Sequence, residues 1–130
     1  MTAPDVVIAR ARKAVGVRFR LHGREPATGL DCVGLVAIAT GAGTVPTGYR
    51  LRDRNVALYE HSLMAGGLVP SASPAPGDIL LCASAPGQLH LAIWTGGSII
   101  HADAALGRVV ERPGAAPWAC VSSWRLEGHD

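Results

Sequence analysis

The order of elements predicts an α+β domain in which N-terminal helices pack on a C-terminal antiparallel β-sheet. Three observations carry that prediction. Apolar residues recur at helical spacing in the first half of the chain, short β-rich runs punctuated by Gly and Pro fill the second half, and Gly96-Gly97 joins two of those runs as a tight hairpin. At 130 residues the chain fits one domain, spanning 1–130, and is long enough to bury a core without disulfides or metal.

The first helix is expected over residues 2–15. Thr2 with Asp5 forms a capping box, Pro4 is tolerated in a first turn, and Val7, Ile8, Ala11, Ala14 and Val15 share one face before Gly16 stops it. Residues 17–30, with Gly23, Pro26 and Gly29, read as an irregular loop. A second helix begins at Asp31 or Cys32, runs through Leu35, Val36 and Ile38 and ends near Gly41. A Gly/Pro/Thr-rich loop over 41–52 leads to a third helix from Asp53 towards Gly66, and 65–77 reads as a loop between elements. Strands follow at Asp78–Cys82, Leu89–Thr95, Ser98–His101, Arg108–Glu111 and Cys120–Leu126.

Composition narrows the function. Charged residues make up 17% of the chain, against about 25% in an average soluble domain. A net charge of +2, with Lys13 the only lysine, gives no electrostatic reason for a nucleic-acid partner. No run approaches the 18 apolar residues of a membrane span, so no membrane insertion is expected. The N-terminal run Val6–Ala9 is too short for a signal peptide, so the expectation is a soluble chain made in the cytoplasm. Cys32, Cys82 and Cys120 form neither a C-x-x-C nor a disulfide framework. The zinc pattern H-E-x-x-H is also missing, and neither metal nor cofactor is expected.

Chemistry concentrates at Gly29-Leu30-Asp31-Cys32-Val33-Gly34-Leu35-Val36. A cysteine in the first turn of a helix sits among unpaired N–H groups that favour a thiolate, although most free cysteines are simply small buried hydrophobes. Lowering a thiol from about 8.5 to about 4 takes roughly 6 kcal/mol. A helix terminus supplies at most about 2 kcal/mol, so a reactive Cys32 calls for a cationic partner such as an imidazolium. His90 and His101 stand on the two strands flanking Gly96-Gly97, where they can be neighbours. A base in one strand, oriented by a group in the next, suits nucleophilic cysteine catalysis. Asp103, on the same strand face as His101, is a rival orienter. Asp78 reads as satisfying loop amides, while Cys82 and Cys120 read as core; Trp94, Trp118 and Trp124 read as core first and as groove-lining second. Arg50, Arg52 and Arg54 alternate along one face if extended.

The blocks Asp31-Cys32-Val33-Gly34-Leu35-Val36, Pro76-Gly77-Asp78-Ile79-Leu80, His90-Leu91-Ala92-Ile93-Trp94 and Ile100-His101-Ala102 resemble, in order and separation, the NlpC/P60 cysteine peptidases. The resemblance covers about residues 5–126. Phe19-Arg20-Leu21-His22-Gly23-Arg24 is most similar to the phage-type branch, which includes cell-wall peptidases of tailed phages and gene transfer agents. The resemblance implies a papain-like fold and hydrolysis of peptidoglycan stem peptides, usually between D-γ-glutamate and a diamino acid. By motif position it implies Cys32 as nucleophile and backbone oxyanion donor, His90 as general base and acid, and His101 as the residue orienting His90. Phe19, His22 and Asp31 are the expected substrate-binding residues. Many members carry a Tyr where Phe19 stands, and His22 is the nearest replacement donor. Peptidoglycan and a phage-like tail hub or baseplate protein are the expected partners, with the chain tail-associated and acting at the cell wall. The rival readings are a structural tail-hub subunit with a vestigial site, a CHAP-like amidase and a lipid acyltransferase, whose His commonly precedes its Cys.

Overall fold

A computed structural model describes residues 2–41 and 55–126. The residues 42–52 of the expected loop, the helix start at Asp53 and the alternating Arg50, Arg52 and Arg54 lie outside the described residues.

Helix α1 spans Ala3–Lys13, and the Thr2–Asp5 capping box closes in both directions. It ends two residues early, before the Ala14 cap, so Val15 is exposed instead of joining Val7, Ala11 and Ala14 in the core. The stretch expected as irregular loop contains a small antiparallel pair, β1 (Arg24–Glu25) and β2 (Gly29–Leu30). These strands are two residues each, too short to leave a periodic signal in sequence. Helix α2 covers Cys32–Thr40 and is capped by Asp31 at its start and by left-handed Gly41 at its end. Helix α3 covers Val56–Ala65 with Asn55 as its cap.

The sheet has six antiparallel strands in the order β3-β8-β4-β5-β6-β7. They are β3 (Leu68–Ser71), β4 (Ile79–Ala85), β5 (Gln88–Trp94), β6 (Ser98–Asp103), β7 (Arg108–Pro113) and β8 (Ala119–Leu126). The sequence reading of 65–77 as loop missed β3. That strand is four residues long and contains Pro70, tolerable because β3 is an edge. One face of the sheet packs Ile79, Leu81, Leu91, Ile93 and Ile100 against α1 and α2 in the main core. The other face carries a smaller cluster of Leu80, Cys82, Ala92 and Ile99 with Trp94 and Trp118. Cys120, expected in the core, is exposed on β8.

Candidate active site

Two local devices place Cys32. Asp31 caps α2 by accepting the Gly34 N–H at 2.9 Å, which sets Cys32 in the first turn. Gly34, two residues later, lies where a Cβ would run into the Gly23 carbonyl. A larger residue there would push the 17–30 segment off the helix. That segment is also tied to the sheet, through Phe19 N–H donating to Gly107 O at 2.8 Å. Phe19 is thereby brought to the same pocket as Cys32.

The imidazoles are set by the ladders outside them. His90 is in register with Cys82 on β4, and His101 with Val110 on β7. Between β5 and β6 the in-register pairs are Ile93–Ile100 and Trp94–Ile99, at the hairpin end. Beyond that end His90 Nε2 lies 2.9 Å from His101 Nδ1, with the rings edge-to-face at 5.0 Å. Trp118 stands edge-to-face on both imidazoles, at 5.1 and 5.0 Å. Cys32, His90, His101 and Trp118 share a pocket of about 170 Å³ with Phe19, Tyr59, Ser84 and Asp103.

Burial governs the electrostatics. It pushes the Cys32 thiol up to about 12, and the neighbouring Asp31 charge adds to the shift. The N–H groups of Leu91, Val33 and Cys32 itself pull the other way and so favour the anion. Burial drives His90 down to about 4, helped by His101 and opposed by Asp103. His101 is lowered too, first by burial and then by Arg112, against Asp103. At neutral pH the resting residues are a thiol and a neutral imidazole. The wall that desolvates the thiol desolvates His90 as well.

The remaining expected residues divide. Asp31 lines the pocket, but its carboxylate also accepts from His22 N–H at 2.7 Å and Arg24 at 3.0 Å, so the fold engages both oxygens. His22 is exposed, holds a left-handed φ of 62° and is not among the pocket-lining residues. Its backbone N–H helps to hold the Asp31 carboxylate. Asp103 accepts from Leu106 N–H at 2.9 Å and caps its own turn, leaving His101 as the group bonded to His90. Asp78 lies away from the pocket.

Two lining residues escaped the sequence reading: Tyr59 sits one turn before Leu63 on α3, and Ser84 stands in a hairpin with no pattern to mark it. Trp118 takes the groove-lining reading of the tryptophans over the core one. Tyr59 and Ser84 thus line the pocket in which Phe19 supplies no hydroxyl. Among the described residues no group of three or more His, Cys, Asp or Glu side chains is placed to hold a metal ion. No helix among them is long and apolar enough to cross a membrane.

No protein-family model and no curated protein matches the sequence. Solved structures do match. NlpC1 from Trichomonas vaginalis superimposes with a TM-score of 0.70 at 20% identity, over 99% of this chain and 45% of that one. The NlpC/p60 domain of the peptidoglycan hydrolase SagA superimposes with a TM-score of 0.59 at 26% identity, over 85% and 88%. The peptidoglycan hydrolase RipB from Mycobacterium tuberculosis does so with a TM-score of 0.59 at 26% identity, over 95% and 63%. The chain spans less than half the length of the Trichomonas protein. The likeness read from the sequence blocks holds at the level of the fold, and none of the three structures bears on the phage-type branch.

Proposed function

We propose that this chain, whose α+β fold is that of NlpC/P60 domains, is a cysteine peptidase that hydrolyses peptidoglycan stem peptides. One observation carries the reading: Cys32, in the first turn of α2, opens into the same pocket as the His90–His101 pair held at 2.9 Å. The substrate class is supported by the peptidoglycan hydrolases that share the fold.

With both groups neutral at rest, proton transfer accompanies attack. His90 takes the Cys32 proton as the sulfur adds to the scissile carbonyl, and His101 holds the His90 ring through the Nε2···Nδ1 bond. The Cys32 N–H stabilises the oxyanion, a role worth about 3–4 kcal/mol per donor. Collapse breaks the C–N bond, and the His90 imidazolium delivers its proton to the leaving amine. Water, deprotonated by His90, then cleaves the thioester and restores the thiol. Trp118 shields both imidazoles from solvent, which strengthens these interactions.

The bond we assign is D-γ-glutamyl–diamino acid. The test is incubation of the protein and its Cys32→Ala variant with L-Ala-γ-D-Glu-meso-diaminopimelate, products being read by mass spectrometry. Release of the diaminopimelate piece by the unsubstituted protein alone supports the assignment. Cleavage of intact sacculi at the glycan–peptide amide would support an amidase instead, and silence on both a structural subunit. Docking on a phage-like tail hub is a separate proposal, overturned if the chain is a free monomer absent from purified particles.

A further inference from the structure

Among the described residues one buried side-chain polar atom lacks a hydrogen-bond partner, the Oγ of Ser84. Buried hydroxyls are nearly always paired, because losing water without gaining a partner is costly. The position is a constructed one. The β4–β5 ladder runs in register from Ile79–Ile93 to Ala83–Leu89 and then shifts, so that Ala85 meets Gln88. Ser84 is the residue caught in that irregularity. Such irregularities re-aim side chains beside active sites, and here Ser84 lines the pocket with Cys32 and His90.

The charge of the pocket wall selects the acceptor. Its lining includes Asp103 and Asp31, the latter paired with Arg24, and no Lys or Arg among the described residues. A substrate carboxylate would face Asp103 with no cation in the wall, whereas a neutral amide oxygen meets no such repulsion. We propose that Ser84 Oγ–H, sealed from solvent in its present rotamer, turns into the pocket when peptide binds, donates a hydrogen bond to a neutral amide carbonyl and so aligns it for attack by Cys32. This rests on the peptidase reading given above.

The test compares the protein with Ser84→Ala and Ser84→Thr on two peptides, L-Ala-γ-D-Glu-meso-diaminopimelate and its analogue with the glutamyl α-carboxylate replaced by a carboxamide. Thermal unfolding is followed alongside. We expect Ser84→Ala to lose about tenfold in kcat/KM on the carboxamide peptide, the scale of one neutral hydrogen bond. Ser84→Thr, which keeps the hydroxyl, should restore most of it. The unfolding midpoint of Ser84→Ala should stay level or rise, since no existing bond is lost. The unsubstituted protein should prefer the carboxamide peptide. Equal kcat/KM for Ser84→Ala and the parent overturns the inference while leaving the peptidase reading intact. A lowered midpoint with a loss that Thr does not restore also overturns it, making Ser84 structural. If the parent cuts neither peptide, the reading for this bond and the inference fall together.

Discussion

Two buried polar centres of this molecule use similar materials in opposite ways. At the foot of β4, Asp78 is 1% exposed and every approach to its carboxylate is taken. Arg125 grips it with two bonds of 2.9 and 3.0 Å, Ser71 donates at 3.0 Å and Ala75 N–H at 2.9 Å. At the other end of β4 and β5 the pocket holds a protonated thiol, two neutral imidazoles bonded to one another and an unpartnered hydroxyl. A saturated centre fixes the chain and has nothing left to offer a ligand. An unsaturated one is costly to fold and keeps its bonding capacity for something that arrives later. Asp31 joins the two regimes, being saturated like Asp78 while standing in the pocket wall.

Substitutions can break that contrast. The largest effect is expected at Cys32→Ala, which should lower stem-peptide cleavage by at least about 10⁴-fold with little change in the unfolding midpoint, as followed by product release and calorimetry. His101→Ala should lower kcat by about 10²-fold, because His90 loses the partner that sets its ring. Asp78→Ala should do the reverse. It leaves the Ala75 N–H unpaired and takes both carboxylate bonds from Arg125, costs about 2 kcal/mol in denaturant unfolding, and spares the chemistry of molecules that remain folded.

Titration sharpens the comparison further. The base form of His90 is the neutral one, so the acid limb of kcat/KM should fall near pH 4, not near the ordinary imidazole value of 6.5. Alkylation of Cys32 by iodoacetamide should climb towards pH 12 without the low-pH plateau of a thiolate–imidazolium pair. The same group affects folding. Between about pH 6.5 and 4 the unfolded chain binds the proton that native His90 refuses, so stability should decline as pH falls through that window. The smallest effect belongs to Thr2→Ala, where loss of the capping box should cost about 1 kcal/mol and leave catalysis untouched.

Much of this was legible in the residues themselves. The capping box at Thr2–Asp5, the Asp31 cap and Gly41 stop of α2, and the Gly96-Gly97 hairpin are local chemistry, resolved within a few positions of chain. The ordered blocks around Cys32, His90 and His101 were enough to pick out the fold. Elements whose existence depends on distant partners were not legible. Strand β3 is a strand because Leu68–Ser71 finds Ser123–Leu126, and β1 with β2 exists because Gly23 and Gly34 allow the loop to close on α2.

The sequence by itself determined which side chains could do chemistry and which helix start and hairpin carry them, because caps, turns and period are set by neighbours along the chain. Only the tertiary structure decided how those side chains are charged and what surrounds them. Desolvation is summed over atoms from α2, β5, β6 and the segment before β8. That sum makes the thiol and imidazole neutral, puts Trp118 over both histidines, and leaves Ser84 with a hydroxyl and nothing in the fold to give it to.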